Sequence, residues 1–231
     1  LSDVVFYTSP QSFSAKYKKS RIMPVGIDTE RFRIQDTRYL PAGRQGKIPN
    51  TILYLGRFSP VKNVDVLIEA ANLLDKQGID FILNIVGRPG EGEEQHFKKV
   101  KDIAKGLEDR GKIRFLGKVA NYQAPEIYSQ NDIFVNLTQV GSFDKTTLEA
   151  MACQNMVLVS NPVFEGIFPK ELREILMFEE RDAEDLAKKL AYLMNLPEVE
   201  KEKIGRELRE MVIKSHSLDG LVREIISIVD V

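Results

Sequence analysis

The chain has 231 residues, 43% of them hydrophobic, enough for one globular domain and part of another around a real core. Its 33 Lys and Arg against 34 Asp and Glu leave a formal net charge of -1, which gives no sign of nucleic acid as the main partner. A single cysteine, Cys153, excludes a disulfide scaffold and a cysteine zinc site, and no run reaches the roughly 18 apolar residues of a membrane span. The first residue is Leu1, with neither a methionine nor a signal-peptide pattern, so the chain reads as a piece of a longer, cytoplasmic protein.

Val4-Val5-Phe6-Tyr7 predicts a short strand ending at Ser9-Pro10, residues 11–20 are polar and basic, and Arg21 to Gly26 is extended again. We read residues 1–20 as the remnant of a preceding N-terminal domain with its linker, and 21–231 as the domain proper. Residues 36–50 hold two prolines and two glycines and predict a loop. From Thr51 the pattern is regular. Apolar runs at 51–56, 81–86, 113–116, 133–137, 156–160 and 175–178 predict about six strands. Helical periods such as Val64/Leu67/Ile68/Ala71/Leu74 and Phe97/Val100/Ile103/Ala104/Leu107 lie between them. Strands alternating with helices give an α/β, Rossmann-like, doubly wound parallel sheet with helices on both faces. Amphipathic segments from Ala183 onward, including 198–231, add C-terminal helices. His96 and His216 fall on charged helical stretches and are expected to be exposed.

The chemistry sits where strands end. Gly141 to Ala152 follows the fourth apolar run and passes through a Gly/Ser turn into a helix that Asp144 is placed to cap. Such a loop offers unpaired amides and a positive dipole end to an anion. Glu149 stands about one turn further, within reach of hydroxyls. Gly56-Arg57 closes the first regular strand, and Lys62 opens the next helix five residues later, a pair of cations suited to a diphosphate. Turns at Gly87 and Gly117 close the next two strands. Each feature alone also fits an ordinary strand-turn-helix; together they converge on one edge of the sheet.

Pro24-Val25-Gly26-Ile27-Asp28 with Phe32, Leu55-Gly56-Arg57-Phe58, Lys62-Asn63, Leu67-Ile68-Glu69-Ala70, Ile85-Val86-Gly87, Phe115-Leu116-Gly117 and Thr147-Leu148-Glu149-Ala150-Met151-Ala152-Cys153 occur in this order. The series resembles the group 1 family of retaining glycosyltransferases over about nine-tenths of the chain. The resemblance implies one half of a GT-B fold, the C-terminal donor-binding half, with the N-terminal acceptor-binding half missing. It implies a nucleotide-sugar donor, such as a UDP- or GDP-sugar, and no metal or separate cofactor. Arg57 and Lys62 are then the catalytic cations on the diphosphate. Gly56, Gly87, Val119, Ser142, Phe143, Lys145, Thr146 and Glu149 complete the donor site, Glu149 on the ribose and Val119 and the Gly87 turn beside the base.

The chain departs from the family pattern at Gly141, where a second glutamate is usual. Ser142 and Asp144 stand at positions usually occupied by glycine, as does Gln154 after the helix. Contacts to the donor sugar are therefore the part that the resemblance supports least. A non-catalytic nucleotide-sugar-binding module and a GT-B-like epimerase are the alternatives. This piece alone is expected to be inactive, and any peripheral membrane association would run through the missing half.

Overall fold

The computed structural model describes residues 4–33, 50–138 and 143–229. Two short strands, β1 (Val5–Tyr7) and β2 (Ser20–Ile22), pair in parallel across a 3-10 helix at Phe13–Lys16 and form a small sheet of their own. The predicted loop at 36–50 lies outside the described residues except for Asn50.

The main sheet has five parallel strands, β3 (Thr51–Leu55), β4 (Ile82–Val86), β5 (Ile113–Gly117), β6 (Ile133–Asn136) and β7 (Met156–Val159). Their spatial order is β5-β4-β3-β6-β7. Every residue of β6 and β7 is buried, as a parallel strand covered on both faces requires. At the sheet's lower edge Asp132 accepts from the amide and hydroxyl of Thr51, at 2.8 and 2.7 Å, which aligns the starts of β3 and β6.

The helices follow from apolar stripes. In α1 (Val64–Lys76) the buried residues include Val64, Leu67, Ile68, Ala71 and Leu74, one face at the helical period. It packs against α2 (Glu94–Asp109). After the short α3 (Ala124–Ser129) and α4 (Lys145–Ala152), the sixth expected strand, 175–178, is not a strand. Leu172 and Leu176, buried four apart, continue a helical period, and α5 (Lys170–Leu176) results. Helix α5 packs against β7, and the next two residues pair with it along the backbone, by a bridge from Met177 to Val159 and a 3.1 Å bond from the Phe178 amide to the Val159 carbonyl. The sheet therefore has five strands rather than six.

Helix α6 (Ala183–Met194) covers α1, and α7 (Glu198–His216) covers α4. Helix α8 (Leu218–Val229) turns off α7 at Ser217. Here the chain's beginning meets its end. Gly26 and Ile27 donate their amides to the His216 carbonyl at 3.1 and 2.8 Å, and Leu218 donates to Ile27 at 2.8 Å. Gly26 has φ +78°, so the junction favours glycine, and the end of the Leu221 side chain of α8 packs over it. Arg209 of α7 holds the same segment through the carbonyls of Thr29 and Phe32 at 2.9 and 2.7 Å, and caps α4 through Ala152.

Candidate functional site

The winding of the sheet reverses between β3 and β6: the chain leaves β3 toward β4 and leaves β6 toward β7. Loops at the carboxyl ends of such a pair diverge and open a crevice, the place where open α/β sheets bind ligands. The loops at the carboxyl ends of β3, β4, β5 and β6 carry the residues singled out from the sequence.

Three of those ends are stitched together by glycines. The Gly56 amide donates to Val86 at 3.0 Å, and the Gly87 amide to Gly117 at 2.8 Å. Gly87 has φ +148°, and a Cβ on it would sit 1.8 Å from the Gly56 carbonyl oxygen, so no side chain fits there. Beneath this row Tyr54, buried, donates its hydroxyl to the Arg57 carbonyl at 2.7 Å. Burial raises the Tyr54 phenol well above its ordinary pKa, so it stays a donor. Phe58 anchors the other side of the turn against Phe97 and Phe115, with ring centroids 4.6 and 6.1 Å away. Arg57 thus leaves a fixed turn with its side chain in solvent. Val119, half-buried, lies past Gly117 on the same edge.

Lys62 closes a 3-10 helix, Pro60–Lys62, rather than opening α1. Its Nζ reaches across the switch point to Asp144 Oδ2 at 2.7 Å and to Thr138 Oγ1 at 2.9 Å. Asn63, in the left-handed region at φ 44°, braces the crossing through the Leu137 carbonyl at 3.2 Å. Asp144 caps α4 as expected, accepting from the Thr146 amide at 3.3 Å and the Thr146 hydroxyl at 2.8 Å. Burial works to raise the Asp144 carboxyl pKa, but the Lys62 charge and hydrogen bond, with Thr146 and Asn136, outweigh it and bring the carboxyl to about 2. The Thr146 amide expected to face an anion is therefore already engaged by Asp144.

Glu149 is half-buried on α4, and its Oε2 accepts from the Tyr128 hydroxyl at 3.1 Å. Burial raises the Glu149 pKa, opposed by that hydrogen bond and by the charges of Arg31 and Lys145. Lys145 is exposed at the first turn of α4. Phe143 turns its ring into the protein, 5.4 Å from Phe164 and 4.9 Å from His216. Ser142 and Gly141 lie outside the described residues.

His216 is not exposed. It is 8% accessible, its Nδ1 has no partner among the described residues, and burial lowers its pKa to about 4. The half-buried His96 is not fully exposed either, with Nε2 sheltered from solvent. In both cases charge on neighbouring positions masked an inward-facing side chain. Sequence reading also passed over Tyr54, Tyr128, Thr138 and Asn136. Tyr128 looks like one more apolar-stripe residue, and Thr138 meets Lys62 only through the fold.

The arrangement can hold a diphosphate between Arg57, Lys62 and the start of α4 while Glu149 accepts from hydroxyls. A family model described as Glycosyl transferases group 1 matches residues 40–215, well over half of the chain. The chain belongs to the group 1 glycosyltransferases. This glycosyltransferase chain is 28% identical over 245 residues to mannosylfructose-phosphate synthase of Agrobacterium fabrum, covering 99% of the chain and 53% of that protein. It is 29% identical over 154 residues to a D-inositol 3-phosphate glycosyltransferase of Geodermatophilus obscurus, covering 64% of the chain and 34% of the relative. It spans about half or less of the length of the curated relatives it matches. Among solved structures, Anabaena Alr3699/HepE in complex with UDP and glucose superposes with a TM-score of 0.83 at 15% identity, over 100% of this chain and 63% of that one. Sucrose-phosphate synthase of Thermosynechococcus elongatus gives 0.81 at 22%, over 100% and 58%. These two likenesses establish the fold as one half of the GT-B arrangement.

Proposed function

We propose that this glycosyltransferase chain is the donor-binding half of a retaining enzyme that moves a sugar from a nucleoside diphosphate to an acceptor held by an N-terminal half. The observation that carries it is the switch point between β3 and β6, where Lys62 is bound to Asp144 at the capped start of α4, with Arg57 at the end of β3 and Glu149 on α4 along the same edge. A leaving diphosphate gains negative charge as the glycosidic bond breaks, and fixed cations aimed at it lower that barrier. Arg57 offers a planar fork and Lys62 a point charge, and the reading assigns this neutralisation to them rather than to a metal. Glu149 accepts from the ribose. UDP is the first donor nucleotide to try, since the Anabaena neighbour holds it, with GDP as the comparison. A cytoplasmic setting fits the reduced, buried Cys153.

The test is calorimetric titration of the chain with UDP and GDP in the presence of a chelator. Binding without added metal is expected, and Arg57→Ala should weaken it roughly ten- to a hundred-fold, about 1.5–3 kcal/mol. Equal affinity in the variant, or a strict requirement for magnesium, would remove the phosphate assignment.

A further inference from the structure

We propose that Tyr128 is a positioning residue for the donor: it fixes Glu149 so that one carboxylate oxygen is held by the protein and the other is presented to the ribose. This rests on the donor reading of Glu149 given above and extends it to a residue on α3, a helix that sequence reading left out of the site.

Tyr128 is wholly buried, yet its hydroxyl points at a half-buried carboxylate on another element, 3.1 Å from Glu149 Oε2. The ring is held by Phe32 and Phe134, with centroids 6.1 and 5.8 Å away, both edge-on. Its backbone carbonyl accepts from Asn155 Nδ2 at 3.0 Å. A phenol so packed cannot follow a moving partner, so the partner must come to it. The Glu149 carboxylate has no other hydrogen bond among the described residues, which leaves Oε1 uncommitted. A free glutamate on a helix face samples several rotamers, and ordering one on binding costs affinity. Tyr128 removes that cost beforehand. It donates to Oε2 and never touches the donor itself.

A core tyrosine whose hydroxyl merely finds an acceptor would look the same at rest, so the test must read the ribose. The probes are UDP, or GDP if the titration above selects it, and its 2′,3′-dideoxy analogue, which lacks the hydroxyls. Wild-type protein should prefer the full nucleotide. Tyr128→Phe should weaken UDP roughly five- to ten-fold and leave the dideoxy analogue unchanged, with a melting temperature lowered by only a few degrees. Glu149→Ala should abolish the preference, and Tyr128→Phe added to it should change nothing further. Loss of the Tyr128 bond, which opposes the raised Glu149 pKa, should also move the acid limb of UDP binding to higher pH. Arg31 from the segment before β3, Asp144 at the N-cap of α4, Lys145 in its first turn and Cys153 at its C-terminal cap face the same carboxylate and are unchanged in the variant.

A Tyr128→Phe protein that loses both ligands alike, or that weakens UDP further in the Glu149→Ala background, overturns the proposal. If Glu149→Ala itself keeps the ribose preference, the donor reading of Glu149 fails first, and that result is distinct from a silent Tyr128→Phe. Should Tyr128→Phe not fold, the buried Tyr128 hydroxyl proton can be followed by NMR in the wild-type protein. It should shift with UDP and stay with the dideoxy analogue; the same shift with both overturns the proposal.

Discussion

Lys62 Nζ and Asp144 Oδ2 stand 2.7 Å apart across the switch point, joining loops separated by 82 residues. Both side chains are about four-fifths buried, at 21% and 18% exposure, so the pair is only weakly screened. One of the two cations assigned to the donor is thus already matched by an anion that stays ionised down to a pH of about 2. A diphosphate must share Lys62 with Asp144.

Asp144→Asn keeps a capping side chain but releases the lysine. Nucleoside diphosphate should bind roughly three- to ten-fold tighter, while stability falls by about 1 kcal/mol. Lys62→Ala leaves the carboxylate hydrogen-bonded to Thr138 and Thr146 but without a counter-charge in a mostly buried place, and should cost about 2–3 kcal/mol of stability as well as affinity. Chemical denaturation and titration of both variants check the pair. Equal stability of the two would show that the contact carries little.

Gly87 is expected to tolerate nothing larger. Gly87→Ala drives a Cβ into the Gly56 carbonyl and breaks the stitched row of strand ends. We expect a loss of about 2–4 kcal/mol in a denaturant melt, with Gly78→Ala as the control, since nothing lies within 4 Å of a Cβ there and only its φ of +72° is strained. A Gly87→Ala protein as stable as that control would contradict the packing.

His216 sets an acid window. Its unfolded pKa is 6.5 and its folded value about 4, so between these the unfolded chain takes up a proton that the folded chain refuses. Stability from this group is complete above pH 6.5 and lost as pH falls toward 4, by up to about 3 kcal/mol. Glu149, raised in the fold, acts in the opposite direction, so the readout is the difference between wild type and His216→Leu. That difference should be flat above pH 6.5 and grow below it. A constant difference across the range would mean that His216 takes up its proton at the same pH in the folded and unfolded chains.

The apolar residues of α8 divide. Leu221 packs on Gly26, whereas Leu218, Val222, Ile225 and Ile226 are 40% to 52% exposed. Ile225→Glu should therefore shift stability by no more than about 0.5 kcal/mol. A loss of 2 kcal/mol or more, concentration-dependent in the melt, would show that another copy covers this face.

Periodicity was enough for the strands at 51–55, 82–86, 113–117, 133–136 and 156–159, because each carries a short apolar run bounded by polar or glycine turns, buried throughout in β6 and β7 and only in part in the edge strand β5. It misplaced 175–178, where Ile175 and Leu176 belong to helix α5 and only the following pair bonds to β7 along the backbone. The site was legible to the extent that chemistry sits at strand ends. Arg57 follows a glycine, Lys62 and Asp144 each precede a helix, and Glu149 lies one turn inside the helix that Asp144 caps. What could not be read were partners set by tertiary packing. Tyr128 and Glu149 lie 21 residues apart, and Asp144 lies 82 from Lys62. No local pattern marks a tyrosine hydroxyl that will find a carboxylate, or a histidine that will turn inward beside Phe143.

The clasp between Gly26-Ile27 and the corner at Ser217 has a temporal consequence. As the polypeptide emerges from the ribosome, the first strands of the sheet can form while Gly26 and Ile27 still lack their hydrogen-bond partner, because His216 has yet to be made. Closing so long a loop costs entropy that only a formed sheet and a finished α7 can offset. The tether at Gly26-Ile27 should therefore remain loose until α7 and the Ser217 corner have been translated, and then lock in one late step.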